Sequence, residues 1–337
     1  PRVCEIAPWA CCRASCITEG TARPQSSSMH VSPRLALMLS IPPLLWAGNA
    51  VVGRQAIQHI GPLWLNTLRW CLALLLLLPL VWHLVADPRQ RTQIARRWRY
   101  LFGLGLVGVG AYNALQYLAL LTSPPLNVTL IASSMPLWMM ASGLLWFGER
   151  PTRGQAIGAV LSLAGVAVVL GRGDLAVLWQ VRFVPGDLLM MLAAFSWSIY
   201  SWMLARPPAH MRGDARPAWD WAAFLALQIV FGLVWAVAGA GLGEAVGVPS
   251  PTPQWGLPLN EALAYVAVFP SLVAYRLWGL GVAEAGPALA AFFSNLTPLF
   301  AAILSAAWLG QWPQGYHALA FALIVAGIVV SAQRAKR

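Results

Sequence analysis

The chain contains ten apolar runs, each long enough to cross a lipid bilayer as a helix. A membrane-spanning helix needs about 17–25 predominantly apolar residues. Of the 337 residues, 59% are apolar and only 10% are charged, whereas roughly a quarter of residues are charged in soluble domains. The sequence therefore predicts an all-α membrane protein embedded in a lipid bilayer. Its ten predicted transmembrane helices are residues 35–52, 63–86, 100–121, 125–147, 155–171, 186–205, 219–242, 260–280, 286–309 and 315–333.

Basic residues lie mostly on one side of the predicted membrane. An even number of spans puts both termini on the same side, and Lys and Arg accumulate in cytoplasmic loops. With the N-terminus inside, the outer loops hold only Arg54, Arg172 and Arg182. The asymmetry predicts cytoplasmic termini and explains most of the net charge of +11 without a nucleic-acid-binding domain. The inner segments hold Arg34, Arg89, Arg91, Arg96, Arg97, Arg99, Arg150, Arg153, Arg206, Arg212, Arg216, Arg334, Lys336 and Arg337.

The second half of the chain repeats the first at an offset of 162 residues. Residues 132–149 read ASSMPLWMMASGLLWFGE and residues 294–311 read SNLTPLFAAILSAAWLGQ, with proline, tryptophan and glycine at equivalent positions. Five spans are an odd number, so the second copy enters the membrane upside down, a plan common in secondary transporters. A channel or an inert scaffold is the alternative. The predicted division is a first five-helix repeat at 29–171, a linker at 172–183, a second repeat at 184–333 and a basic cytoplasmic tail at 334–337.

Residues 1–28 differ from the rest of the chain. They hold four of the five cysteines, Cys4, Cys11, Cys12 and Cys16, and an even cluster of cysteines serves either a zinc site or disulfides. No second pair of ligands follows, and the segment has neither the apolar core of a signal peptide nor helical periodicity. We therefore expect translation to begin at Met29 and residues 1–28 to be a non-native or disordered extension.

Each repeat carries a proline near the middle of its fourth span, Pro136 and Pro298. From Pro136 to Gly148 the helix rises about 18 Å at 1.5 Å per residue, and half the hydrocarbon core is about 15 Å thick. Proline has no N–H for the carbonyl four residues earlier, and an unpaired carbonyl is costly in lipid. The pattern predicts two hinges that line a central cavity, the alternative being kinks patched by neighbouring hydroxyl groups.

Polar and aromatic residues inside the spans share helix faces. Asn113, Gln116 and Tyr117 have the spacing of one face, and a polar side chain in lipid is costly unless it is bonded. These faces predict a polar and aromatic cavity for a small-molecule substrate, although hydrogen bonds between helices explain any single residue equally well. The predicted substrate-binding residues are Trp46, Asn49, Arg69, Asn113, Gln116, Tyr117, Asn127, Trp197, Tyr200, Tyr275 and Asn295.

Arg69 is the one charged residue well inside a predicted span. Its side chain either extends to the outer interface, as long basic side chains do, or contacts an anionic group of the substrate. No acidic residue lies at the middle of a predicted span, since Asp187, Glu244, Glu261 and Glu284 all fall near span ends. This placement argues against a chain of carboxylates that relays protons through the membrane.

Motifs typical of enzymes are misplaced in this sequence. GLGLVG at 103–108 matches a dinucleotide-binding pattern, but it lies inside a span with no preceding strand, so close helix packing explains it. The five histidines are scattered, Cys71 has no partner in the spans, and no nucleophile has a nearby base. The sequence therefore predicts no metal site, no cofactor and no enzyme activity.

Several short motifs follow one another in a recognisable order: LLWAGN at 44–49, LNTLRWCLA at 65–73, LWFGE at 145–149, AFSWSIYS at 194–201, AYRLWGLGVAEAGP at 274–287, NLTPLF at 295–300 and AGIVV at 326–330. From about residue 35 to 333 the chain resembles the drug/metabolite transporter superfamily, specifically its EamA-like branch of ten-helix permeases. The resemblance implies a secondary transporter of the bacterial inner membrane that exports, or less often takes up, small metabolites such as amino acids. A membrane-embedded enzyme or lipid-handling protein is the alternative, and no pattern predicts the oligomeric state.

The ends of the two fourth helices depart from the family pattern. The family usually has Gly-Glu at both ends, and here the first repeat has Gly148-Glu149 while the second has Gly310-Gln311. We expect Glu149 to pair locally with Arg150 or Arg153, an interaction that contributes little when exposed. Since Gln311 lacks the charge, the sequence argues against a mechanism with two symmetric gate carboxylates.

Overall fold

The computed structural model describes residues 31–308 and 314–333, and in these ranges every regular element is helical. There, nine helices are long and apolar enough to cross a membrane, and one bent pair of helices supplies a tenth span. The predicted all-α fold of ten spans is confirmed. We number the spans α1 (Pro33–Ala56), α2 (Pro62–Val81), α3 (Pro88–Ala119), α4 (Pro125–Ser133 and Met135–Trp146), α5 (Arg153–Leu170), α6 (Pro185–Ala205), α7 (Trp221–Ala245), α8 (Leu257–Ala285), α9 (Pro287–Ser294 and Leu296–Trp308) and α10 (Gly315–Ala332).

Three sequence predictions fall outside the described residues. They are the extension at 1–28, the glutamine at 311 and the basic tail at 334–337. The predicted linker at 172–183 is described, and it contains a short 3₁₀ helix, Leu175–Gln180.

Local capping chemistry marks where the helices begin. Pro185 stands at the first turn of α6, where a missing N–H costs nothing. Ser32 caps α1 by accepting a hydrogen bond from the Leu35 amide at 3.1 Å. Thr152 and Gln155 satisfy each other's backbone N–H groups at the start of α5. Because the first-turn N–H groups are satisfied locally, the helix ends tolerate a position at the membrane boundary.

Two π-helical segments interrupt α3 and α8, at Gly105–Ala111 and Val268–Val273. The offset of 162 residues places the first segment on residues 267–273, so the repeat includes this rare feature.

The glycines of the π-helical segment in α3 allow close packing. Gly105 lies against the backbone of Gly232 in α7, and Gly108 lies against the ring of Tyr200. The packing explanation for GLGLVG therefore agrees with the structure.

The prolines of the fourth spans lie beside interruptions in both helices. In α4 the interruption falls at Ser134, and the two parts of the helix meet at 42°. In α9 it falls at Asn295, yet the span is straight enough to count as one continuous helix. The two interruptions are therefore unequal, and the role of Pro136 and Pro298 as hinges stays a prediction.

At one membrane face, an ion pair joins the two halves. Glu149 follows α4 and pairs with Arg206 at the C-terminal end of α6. The expected local pairing with Arg150 or Arg153 is wrong. Gly148 has a φ of 69°, a left-handed conformation that turns the chain sharply after α4, and Glu149 then meets the end of α6.

At the opposite face, a buried carboxylate joins the halves. Asp187 lies in the first turn of α6 and is 1% exposed. It accepts hydrogen bonds from the hydroxyl of Ser123, from the side-chain amide of Asn127 at 2.9 Å and from the Val184 amide at 2.9 Å. We refer to the two sides of the molecule as the Glu149 face and the Asp187 face.

Candidate functional site

A cavity of about 130 Å³ lies between the two halves at the level of the helix interruptions. Its walls come from α1, α3 and α4 of the first half and from α6 and α9 of the second, and we call it the central cavity. Among the described residues that line it, none carries a charge. They are Trp46, Asn49, Tyr112, Asn113, Gln116, Tyr117, Leu120, Val128, Thr129, Ala132, Ser133, Met135, Trp197, Ser294, Thr297 and Pro298.

The first half contributes three amides to the cavity wall, Asn49, Asn113 and Gln116, which we call the amide lobe. Asn49 comes from α1, and the other two are three residues apart on one face of α3. Within the described residues, the Gln116 side chain and the Nδ2 group of Asn49 have no hydrogen-bond partner. An amide that faces a cavity without a partner is available to a ligand, because leaving it unbonded in an apolar surrounding is costly.

Arg69 lies directly behind the amide lobe. Its side chain is 1% exposed, and its Nη1 group donates to Asn113 Oδ1 at 3.0 Å, to Tyr117 Oη at 3.0 Å and to Asn49 Oδ1 at 3.5 Å. Its Nε and Nη2 groups donate to the Ser271 hydroxyl of α8 at 3.0 and 2.7 Å. The guanidinium therefore does not extend to the interface. No carboxylate of the described chain lies within 4.0 Å of it.

The second half fills the corresponding space with Tyr200, Tyr275 and Trp278, which we call the aromatic lobe. Each of the three is at most 4% exposed. The Trp278 ring lies 5.4 Å from that of Trp46 and 5.5 Å from that of Trp197. Offset contacts at such distances stabilise aromatic clusters beyond their area burial. The lobe therefore packs against the two tryptophans of the cavity wall, on the parts of α6 and α8 that lead to the Glu149 face.

Residues at equivalent positions of the two repeats touch each other at the centre. Asn113 and Tyr275 are separated by the repeat offset of 162, and the Asn113 amide donates to Tyr275 Oη at 3.4 Å. Trp46 and Trp197 occupy matching places in α1 and α6, and their rings are 5.3 Å apart. In a molecule with two-fold pseudo-symmetry, equivalent residues meet only near the axis. These pairs therefore mark the pseudo-symmetry axis, beside the central cavity.

The π-helical segments are bonded across the interface between the halves. The Tyr275 hydroxyl donates to the Gly108 carbonyl, and Trp46 Nε1 donates to the Pro270 carbonyl at 3.4 Å. Each segment thus offers a backbone carbonyl to a side chain of the opposite half. This reciprocal bonding holds the two halves together next to the cavity.

Most of the predicted substrate-binding residues come together at this site. Arg69 lies one hydrogen bond behind the lining, and Tyr200 and Tyr275 pack on the far side of Trp197 at 5.0 and 5.2 Å. Of the predicted hinges, Pro298 is in the lining and Pro136 is not. The predicted residues that line the cavity are Trp46, Asn49, Asn113, Gln116, Tyr117 and Trp197.

Asn127 and Asn295 lie outside the cavity lining. Asn127 donates to the carboxylate of Asp187 and, at 2.8 Å, to the carbonyl of Arg182, so it ties α4 to the start of α6. Asn295 is completely buried at the interruption of α9, and within the described residues its amide has no hydrogen-bond partner. Helical spacing alone does not distinguish a face that meets another helix from a face that meets a cavity.

Tyr112, Thr129 and Ser271 belong to this site but are not among the predicted residues. Tyr112 follows the π-helical segment, whose extra residue per turn shifts the register of α3. Ser271 bonds Arg69 from within the other π-helical segment. A regular helical period therefore misplaces Tyr112 and Ser271. The one sequence signal for this part of the site was the Pro270-Ser271 pair inside an apolar span.

The profile of the EamA-like transporter family matches the chain twice, over residues 34–171 and again over 184–333. The two matches cover most of the chain. The chain belongs to the EamA-like transporter family. The resemblance read from the motifs is thereby confirmed, as is the plan of two five-helix repeats. This multi-pass membrane protein is a transporter and not an enzyme.

Relatives of this transporter include proteins named as exporters. An uncharacterised transporter of Archaeoglobus fulgidus is 26% identical over 88% of this chain and 96% of its own length. The aromatic amino acid exporter YddG of Ancylobacter novellus is 28% identical over 69% of this chain and 76% of its own. A probable amino-acid metabolite efflux pump of Salmonella typhimurium is 25% identical over 88% and 93%.

A solved crystal structure shares the fold of this transporter. The two chains superpose with a TM-score of 0.66 and are 23% identical, over 88% of this chain and 96% of the other. The similarity extends over both repeats, which agrees with a single ten-helix unit.

Proposed function

We propose that this transporter exports small amphipathic metabolites, such as amino acids or related compounds, across the bacterial inner membrane. The observation that carries the proposal is the central cavity, which combines the amide lobe with the rings of Trp46 and Trp197. A concave site with a few placed polar groups and an apolar remainder suits a ligand with one polar and one apolar end. The names of the Ancylobacter and Salmonella relatives support amino-acid-like cargo and the outward direction.

The transporter works by alternating access between its two repeats, 29–171 and 184–333, which the linker at 172–183 connects. In the present arrangement, the cavity lining extends toward Leu120 and Val128 near the Asp187 face, while the aromatic lobe closes the other side. A substrate reaches the Glu149 face only if the aromatic lobe opens. The excess of basic residues makes the Glu149 face cytoplasmic, with both termini on that side.

A metabolite screen tests this function on the purified full-length protein. Ligand at roughly 100 times its dissociation constant adds about 2.7 kcal/mol to the free energy of unfolding, so a bound metabolite raises the melting temperature. Compounds that bind should then move across the membrane of proteoliposomes in a saturable manner. Binding without any flux would rule out transport of those compounds.

A pair of variants ties the binding to the central cavity. Gln116→Leu removes an amide from the lining. The control variant, Val160→Leu, introduces the same residue at a surface position of α5 that is 69% exposed. One lost hydrogen bond of about 0.5–1.5 kcal/mol should weaken binding by a factor of roughly 2–10 in the first variant. Equal affinity of both variants would place the binding site elsewhere.

A further inference from the structure

We propose that the central cavity selects ligands by a carboxylate group, and that Arg69 is the positioning residue responsible. The inference rests on the proposed function and narrows its substrate class to organic acids. A free ammonium group on the ligand is not required for binding, and compounds whose only charge is positive are rejected. Three features of the described residues support it: an uncompensated buried charge, the orientation of two amides and the composition of the cavity wall.

The charge of Arg69 is buried and has no anionic partner within residues 31–308 and 314–333. All its hydrogen-bond partners are neutral, namely Asn49, Asn113, Tyr117 and Ser271. In the described chain the one carboxylate that pairs with a basic side chain is Glu149, at the membrane face. A buried charge is costly unless it is compensated, and electrostatic attraction is stronger where water is excluded. A carboxylate in the adjacent cavity supplies the missing compensation.

The guanidinium also dictates how the neighbouring amides are oriented. Nη1 is only a donor, so Asn49 and Asn113 must turn their Oδ1 atoms toward Arg69. Their Nδ2 groups then point away from it. That of Asn113 reaches Tyr275 Oη at 3.4 Å, and that of Asn49 has no partner among the described residues. Arg69 thereby leaves the cavity wall one unpaired N–H donor among the described residues, that of Asn49, and a carboxylate is a strong acceptor for such a donor.

The composition of the cavity wall disfavours ligands whose only charge is positive. None of the described lining residues is acidic, so an ammonium group finds no ion pair. The rings of Tyr112, Trp46 and Trp197 attract cations, but the positive charge of Arg69 behind the amide lobe opposes that attraction. The rings instead suit the apolar part of an acid.

Four related compounds separate the contributions of the two charged groups. Phenylalanine carries a carboxylate and an ammonium group, 3-phenylpropanoate carries only the carboxylate, and phenylalanine methyl ester and phenethylamine carry only the ammonium group. We expect the two acids to bind the purified protein at least 10-fold more tightly than the ester and the amine, by calorimetry or thermal shift. Ester or amine affinity within threefold of the acids contradicts the inference, and so does failure of both acids to bind.

Variants of Arg69 test its part in the selection. In Arg69→Gln the advantage of the acids should fall from at least 10-fold to less than threefold, and Arg69→Lys should recover part of it. The matched control is Arg276→Gln, because Arg276 is also in a span but is exposed and stacks on Trp221 at 4.3 Å. An undiminished acid advantage in Arg69→Gln, or an equal loss in the control, refutes the assignment.

A charge-placing variant keeps the test valid if Arg69→Gln does not fold. Asn49→Asp puts a carboxylate beside the guanidinium at the cavity wall. It should remove the advantage of the acids and improve binding of phenethylamine by at least threefold, and unchanged ligand preference contradicts the inference. If the carboxylate inference fails in this way, saturable flux of metabolites other than the four test compounds in proteoliposomes would still support the proposed function. Absence of flux for every compound would instead remove the proposed function.

Discussion

The amide lobe and the aromatic lobe occupy equivalent positions around the pseudo-symmetry axis, yet one borders a cavity and the other is filled. The repeat offset pairs Asn113 with Tyr275 and Gln116 with Trp278, and the match of Trp46 with Trp197 pairs Asn49 with Tyr200. Each amide of the first half therefore corresponds to an aromatic residue of the second. The backbone of the two regions is alike down to the π-helical segments.

We infer from the difference that side-chain volume, together with the 42° bend that α4 has and α9 lacks, decides on which side the cavity lies. An aromatic side chain buries 150–250 Å² and is much larger than an amide. The three rings of the second half fill space that the three amides of the first half leave free. Substitutions that make the two lobes alike, or more unlike, test this explanation directly.

The largest effect is expected when a ring is removed from the aromatic lobe. Trp278→Ala deletes a completely buried indole that packs on Trp46 and Trp197. The loss of contacts and the cavity left behind should lower the free energy of unfolding by about 3–5 kcal/mol. Thermal unfolding in detergent measures the change, with a lipid-facing substitution, Trp146→Ala, as the control. A melting temperature equal to that of the control would mean that the lobe is not packed as described.

The second-largest effect is expected when an amide of the amide lobe is replaced by the tryptophan that the aromatic lobe has at the equivalent position. Gln116→Trp introduces an indole into a cavity of about 130 Å³. It should weaken ligand binding at least 100-fold, which is roughly 2.8 kcal/mol at about 1.4 kcal/mol per tenfold change. Val160→Trp places the same ring against lipid and should bind normally. Retained binding in Gln116→Trp would separate the binding site from the amide lobe.

A smaller effect, on the rate of turnover, is expected when the proline in the fourth span of either repeat is replaced. Pro298→Ala restores an N–H that bonds the carbonyl four residues earlier, which stiffens α9 at the cavity. Turnover in proteoliposomes should fall by about tenfold, or roughly 1.4 kcal/mol in the barrier, while affinity changes less than twofold. Pro136→Ala provides the comparison, since α4 is bent by 42° there. If flux is unchanged in both variants, the interruptions serve only the architecture.

The smallest effect is expected at the Glu149 face. Glu149→Gln gives the first repeat the same residue that the second has at Gln311 and removes the ion pair with Arg206. Both side chains are substantially exposed, at 42% and 53%, and such pairs contribute about 0–1 kcal/mol. The melting temperature and its dependence on salt should therefore change little. Asp187→Asn, at the buried junction of the opposite face, should destabilise the protein more; the reverse order would contradict the structure.

Local patterns predicted the parts of the site that follow from one helix at a time. The spacing of Asn113, Gln116 and Tyr117 put them on one helix face, which is a local property, and the structure has all three in the cavity lining; that they bind a substrate stays a prediction. Arg69 stood out because a charge inside a span is rare. Local patterns did not predict that Asn127 bonds Asp187, since that contact joins residues of different repeats. Tyr112 and Ser271 were missed because the π-helical segments shift the helical period.

The sequence alone determined the ten spans, the duplication and the family, since these depend on apolar length, on an offset along the chain and on short motifs. Tertiary structure decided which polar faces meet a cavity and which meet another helix. It also decided that Glu149 pairs with Arg206, and that the guanidinium of Arg69 turns toward neutral partners. Those outcomes depend on distances between helices and on side-chain volumes across the pseudo-symmetry axis, and neither quantity is encoded in the spacing of residues along one helix.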